Sequence, residues 1–256
     1  MNRNKIIALV IMAPFFVAQI ANSKPYKYSD GKISFAGEYF AAPGEKKSPG
    51  LVLIHNWMGV TAETVKQSER FQKLGYSVLA ADIYGEGIRP TNPKDAGALA
   101  TQYKTDRKLL RERVGLAIRE LSKMKNVDPT QIVVLGYCFG GTAAIEAARS
   151  GENIKGAISF HGGLDSPTPA DGAKIKAKIL ALHGADDPFV PAADLTAFES
   201  EMKSHRVNFE IVKYPGAVHS FTDLGAGTDN SKGAAYNKKA DESSFEKATL
   251  FLKSVF

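Results

Sequence analysis

The sequence predicts an α/β protein: a mostly parallel central sheet with helices on both faces. Three observations carry that expectation. Short unbroken apolar runs, such as residues 51–54 and 132–135, read as strands buried on both sides. Segments of helical period stand between them. No internal repeat, low-complexity tract or linker interrupts the alternation after residue 23, which argues for a single domain over residues 24–256. The 256 residues are 44% hydrophobic and 23% charged, which excludes collagen-like, disordered and multi-span membrane chains.

The elements follow in order. Residues 33–41 read as an edge strand or hairpin, closed by Pro43-Gly44 and a polar turn through Pro49-Gly50. After the buried strand 51–54, Thr61 opens a helix that Gly75 closes, and 76–81 is the next strand. A loop containing Gly85, Gly87, Pro90 and Pro93 leads to one long helix from about 98 to 125, in which Leu110, Val114, Ile118 and Leu121 recur at helical spacing. Strand 132–135, helix 141–149, strands 154–160 and 179–182, a helix near 194–204 with Asp194 as its N-cap, strand 209–212 and a closing helix 242–256 complete the series.

The first 23 residues read as a secretory signal peptide. Arg3 and Lys5 form a basic start, residues 6–17 are apolar apart from Pro14, and Ala21-Asn22-Ser23 offers small residues for cleavage near Ser23. The apolar run is shorter than the roughly 20 residues that span a bilayer, which favours cleavage over retention as an anchor. The expected location is outside the cytoplasm, in a bacterial periplasm or beyond, with no other membrane association. Removing Arg3 and Lys5 lowers the basic count from 33 to 31 against 27 acidic residues, for a charge of +4. The single cysteine excludes an internal disulfide and any cysteine-rich zinc site.

That cysteine stands in Gly136-Tyr137-Cys138-Phe139-Gly140-Gly141, between a strand and a helix. The spacing is that of a nucleophile elbow, with cysteine where serine is usual. A sharp strand-to-helix turn strains the nucleophile's backbone and needs small residues two positions to either side. It also sets the thiol at a helix N-terminus, where the dipole and free N–H groups favour thiolate, and where the Phe139 N–H can meet an oxyanion. A buried, inert cysteine in a glycine-rich turn is the alternative, and the strand–turn–helix context weighs against it.

A thiol nucleophile needs a base and a group that orients the base. Asp187, in Gly184-Ala185-Asp186-Asp187-Pro188, and His219, in Val218-His219-Ser220-Phe221, each follow a strand's C-terminal end, where sites of open α/β sheets gather. The order Cys138, Asp187, His219 is that of the α/β-hydrolase fold. Spacing alone leaves Asp186 as a competitor for the acid. His183 reads as packed, His205 as solvated, and His161 as structural or pocket-lining.

Taken together, these motifs resemble the dienelactone hydrolase family over about residues 37–256, with Ala80-Ala81-Asp82-Ile83-Tyr84-Gly85 adding to the likeness. The resemblance implies Cys138 as nucleophile, His219 as base, Asp187 rather than Asp186 as orienting acid, and hydrolysis of esters or lactones with no metal or organic cofactor. It also matches Ile54-His55-Asn56-Trp57-Met58-Gly59 to the oxyanion loop, with the Trp57 N–H as second donor. Two departures stand out. Asn56 occupies a position held by glutamate in dienelactone-cleaving members, and Asp223 stands four residues after the histidine, where those members carry a carboxylate-binding arginine. The activity therefore carries over better than the dienelactone substrate, and Asp223 favours neutral esters and lactones.

The loop 222–240 reads as a pocket wall or an exposed variable loop, with Tyr236 as a polar contact; Trp57 and Tyr84 are candidates for an aromatic lining. The rival classes are a non-catalytic periplasmic binding module and a thiol redox sensor on the same fold. The ordered His and Asp, and the lack of a second cysteine, favour the enzyme. Nucleic acid is not expected, because Asp106, Glu112 and Glu120 break up the basic residues of the long helix. The partner is a small-molecule substrate, and the chain is expected to act as a monomer or dimer.

Overall fold

A computed structural model describes residues 23–256. The proposed signal peptide, apart from Ser23, therefore lies outside the described residues. Among the described residues, one eight-stranded sheet forms the centre of the fold. Its strands are β1 (Ser23–Ser29), β2 (Ser34–Phe40), β3 (Ser48–Ile54), β4 (Ser77–Ala81), β5 (Val127–Tyr137), β6 (Gly156–Phe160), β7 (Lys178–Gly184) and β8 (Phe209–Tyr214), in the spatial order β1-β2-β4-β3-β5-β6-β7-β8. The six from β3 to β8 are parallel; β1 and β2 pair antiparallel at one edge.

The central strands are buried on both sides. In β3, Leu51 and Leu53 face one apolar layer while Val52 and Ile54 face the other, the period of two that a strand imposes. The first layer is closed by Phe71 of α1 (Ala62–Gln72) and by Phe251 and Leu252 of α6 (Lys238–Val255). The second is closed by Leu110 and Val114 of α3 (Arg107–Ser122), Ala143 of α4 (Phe139–Arg149) and Phe198 of α5 (Ala192–Ser204).

Several boundaries differ from expectation. The single helix over 98–125 is two: α2 (Pro93–Thr105) and α3, broken at Asp106 with φ −97° and ψ 78°. Asp106 accepts from the Leu109 N–H at 2.9 Å and so caps the second helix, a local bond that competes with continuing the first. Pro93, placed in the preceding loop, is the first residue of α2 behind the Asn92 cap. Asp194 is not an N-cap. It lies in the first turn of α5, which starts after Pro191, and its acidic charge there suits the helix dipole. The closing helix begins at Lys238, capped by Asn237. β1 was not expected. It takes the sheet edge and makes β2 the inner strand of a hairpin.

Arg149, at the end of α4, is fully buried. It binds Glu146 (2.9 Å) and Glu201 (2.6 Å) and donates to the carbonyls of Leu164 and Asp165 at 3.1 and 3.0 Å. Arg111 extends the network, joining Glu146 and Asp171 at 2.8 and 2.7 Å. These bonds fix the segment after β6 against α4 and α5. Replacing Arg149 by Met strands the buried Glu201 and leaves buried Glu146 with Arg111 alone, so urea unfolding should show a loss of about 3–5 kcal/mol. A loss below about 1 kcal/mol would show that the network is dispensable.

Candidate active site

The site forms where the parallel strands end. Between β5 and α4 the chain turns through Cys138, which has φ 56° and ψ −116°, a conformation that side chains rarely adopt. Both flanking glycines are required by contact. A Cβ on Gly136 would collide with the backbone of Gly140, and one on Gly140 would strike the carbonyls of Ile54 and His55. The elbow is thus wedged against the end of β3, and that wedge sets the loop carrying Trp57 beside the thiol.

Cys138, half-buried, receives a second residue from another strand end. His219 Nε2 lies 3.0 Å from Cys138 Sγ, and His219 Nδ1 lies 2.8 Å from Asp187 Oδ2. The other oxygen of Asp187 accepts from the Phe189 N–H at 2.8 Å, which fixes the buried carboxyl group. Asp186 is exposed and turns away to accept from the Gly216 N–H at 3.0 Å. Geometry therefore separates the two acids, which spacing could not. Burial pushes the Cys138 thiol up, but the His219 charge and hydrogen bond, with Lys104 and the Phe139 N–H, bring it below its ordinary value. Burial likewise opposes a charged His219, yet Cys138 and Asp187 together raise it well above the usual imidazole range. Each group thus favours the charged form of the other.

The loop 222–240 holds the histidine's backbone. His219 N–H donates to Gly233 and its carbonyl accepts from Ala235, at 3.1 and 3.0 Å, in an isolated bridge. Tyr236 is not in either compartment of the cleft; its hydroxyl donates to Asp241 at 3.3 Å. Tyr84 is buried beneath the cleft rather than lining it, and its hydroxyl donates to the Trp57 carbonyl at 3.1 Å. His55, Tyr84 and Phe139 pack with ring centroids 4.6–5.8 Å apart, under the loop that carries Trp57. Buried His55 has its pKa pushed down to about 4 by desolvation, which outweighs its hydrogen bond to the Asn56 carbonyl. Asn56 itself folds a turn, its side-chain oxygen accepting from Met58 N–H at 2.9 Å.

His161 is buried, with φ 41°. Its Nε2 lies 2.8 Å from Thr222 Oγ1, and its ring meets the edge of the His219 ring at 5.3 Å. Burial first, then the charge of His219, keeps it neutral. His183 is buried as well, and His205 caps the end of α5, half-buried.

The cleft divides at Cys138 into two compartments that share Trp57 and Ser220. The smaller, about 50 Å³, is bounded by Asn56, Glu63, Gln67, Tyr137, His161, Thr222 and Asp223. The larger, about 410 Å³, is bounded by Lys104, Gly163, Phe189, Val190, His219 and Lys232. Sequence reasoning missed Glu63, Gln67, Tyr137, Lys104 and Lys232 as cleft residues. They come from α1, α2, the residue before Cys138 and a distant loop, and nothing in their local spacing marks them. Among the described residues, no three His, Cys, Asp or Glu side chains converge to hold a metal ion.

Comparison with known proteins agrees with this architecture. A putative carboxymethylenebutenolidase from Synechocystis is 28% identical over 205 residues, 74% of this chain and 82% of the relative. Another from Saccharolobus solfataricus is 26% identical over 253 residues, 84% of this chain and 93% of the relative. Among solved structures, the dienelactone hydrolase-like promiscuous phosphotriesterase P91 from metagenomic libraries superposes with a TM-score of 0.86 at 28% identity, covering 92% of this chain and 98% of its own. A second, m3DLH, has a TM-score of 0.88 at 30% identity, covering the same shares. The dienelactone hydrolase family itself matches residues 36–256. The chain has the α/β-hydrolase fold and belongs to the dienelactone hydrolase family of hydrolases.

Proposed function

We propose that the protein hydrolyses carboxylic esters or lactones through Cys138, His219 and Asp187, by way of a thioester on the cysteine. The observation that carries this reading is the aligned pair of contacts, Sγ to Nε2 at 3.0 Å and Nδ1 to Oδ2 at 2.8 Å, at the mouth of a cleft. The thiolate attacks the ester carbonyl, forming an S–C bond while the carbonyl electrons move to oxygen. That oxyanion is met by the Phe139 and Trp57 N–H groups, each worth about 3 kcal/mol in such a role. Collapse breaks the C–O bond, and the His219 imidazolium gives its proton to the departing alkoxide. Neutral His219 then takes a proton from water, which attacks the thioester and releases the acid and the thiolate. No metal or organic cofactor enters any of these steps.

Asp223 and Glu63 on the wall of the small compartment support a preference for neutral acyl groups, since a carboxylate placed there faces like charge. The basic and apolar start of the chain supports action outside the cytoplasm after export.

Cys138→Ala should abolish turnover of aryl esters, and Asp187→Asn should lower kcat by about a thousandfold or more by releasing the imidazole from its orientation. Full activity in Cys138→Ala would refute the proposal. The thiolate absorbance near 240 nm, followed from high to low pH, should persist below the ordinary thiol range in the native protein. In His219→Asn the midpoint should move upward, because burial then acts without the opposing charge. An unmoved midpoint would show that His219 does not activate the sulfur.

A further inference from the structure

The two compartments on either side of Cys138 differ in size, polarity and access to the base, and these differences bear on what each takes. We infer that the small compartment is the acyl subsite and that it selects short acyl groups bearing an uncharged hydroxyl over carboxylates and long alkyl chains. The inference rests on the proposed acylation of Cys138.

Direction comes first. His219 borders the wide compartment but not the small one. The alkoxide that receives its proton must leave on the wide side, so the acyl carbon held by sulfur projects its substituent to the other side. Size comes second. A water molecule needs roughly 10–15 Å³ of such space, so a cavity of about 50 Å³ holds about three to five groups of that size. That is the scale of a two- to four-carbon acyl chain, whereas the space of about 410 Å³ suits a bulky alcohol.

Chemistry comes third. Tyr137 donates to Gln67 at 3.1 Å, and Gln67 donates to Glu63 Oε1 at 2.7 Å. This chain of bonds holds the Glu63 carboxyl group in the wall; its second oxygen makes no hydrogen bond among the described residues and has the Lys66 ammonium 3.7 Å away. Asp223 uses Oδ1 to accept from the Gly225 N–H at 2.7 Å, again leaving one oxygen over. His161, 2% exposed, closes the same wall with a neutral ring whose Nδ1 has no hydrogen-bond partner. A hydroxyl, being both donor and acceptor, suits this mixture of acceptors and a neutral imidazole. A carboxylate meets two acidic side chains, and an alkyl chain leaves the polar wall desolvated without replacement bonds.

The test is a set of 4-nitrophenyl esters that share one leaving group: butyrate, 3-hydroxybutyrate, hemisuccinate and octanoate. The inference predicts that kcat/KM is highest for 3-hydroxybutyrate, and about tenfold or more lower for hemisuccinate and octanoate than for butyrate. In Glu63→Leu the ratio of 3-hydroxybutyrate to butyrate should fall about tenfold, and in Glu63→Gln by less, since the amide still accepts. Asp223→Asn should raise the ratio of hemisuccinate to butyrate several-fold. Equal use of octanoate or hemisuccinate by the native enzyme overturns the inference, and so does an unmoved hydroxybutyrate ratio in a folded Glu63 variant. If butyrate is nonetheless cleaved in a Cys138-dependent way, the hydrolase reading stands while the subsite assignment fails. If no ester is cleaved, both fail.

Discussion

The left-handed turn at Cys138 is the constraint on which the rest of the site depends. A residue with a side chain at φ 56° costs of the order of 1–3 kcal/mol, and the surroundings must over-determine it. They do so by close approach. Gly136 meets Gly140 across the turn, and Gly140 meets the carbonyls at the end of β3. The Cys138 N–H also donates to the Phe160 carbonyl of β6 at 3.0 Å. Strands on both sides therefore clamp the turn, and the thiol projects from the C-terminal end of the sheet at the head of α4 with its sulfur facing His219. Loosening any of these contacts would let the turn relax and the sulfur retreat.

From that fixed point the electrostatics follow. A buried thiol and a buried imidazole each resist charge separately; within 3.0 Å of one another they favour it together. Asp187 supplies the third charge and the orientation, and the return loop 222–240 supplies the backbone bonds on either side of His219. Beneath the opposite wall, neutral His55 accepts from the Ile83 N–H and packs against Tyr84, whose hydroxyl tethers the Trp57 carbonyl. His161, on the wall of the small compartment, keeps a buried Nδ1 without a hydrogen-bond partner. The buried network around Arg149 stiffens the segment that carries Gly163 and thus one wall of the wide compartment.

Much of this was legible in the residues. The apolar runs, the elbow hexapeptide and the order Cys138, Asp187, His219 carry their own geometry, because strand period, glycine spacing and strand-end placement are local consequences of sequence. The break at Asp106 was hidden because charged and apolar residues continue at helical spacing across it, and only its side chain's bond to Leu109 shows the restart. β1 is faint in the sequence because only Tyr26 and Tyr28 turn inward, between the exposed Lys24, Pro25, Lys27 and Ser29 of an edge strand. Tyr84 and Tyr236 are both polar aromatics near motif residues, and sequence cannot tell which tyrosine lies under a loop and which pairs with a helix acid. The partition of the cleft depends on side chains more than 80 positions apart, such as Gln67 and Thr222, and such meetings are set by the fold alone.

The measurement that reaches the central claim most directly is mass spectrometry of the protein quenched in acid within milliseconds of mixing with excess 4-nitrophenyl acetate. One acetyl group per chain is expected, mapped by proteolysis to Cys138 and labile to hydroxylamine as a thioester is. Turnover without an acyl adduct on Cys138, or an adduct on any other side chain, would contradict it.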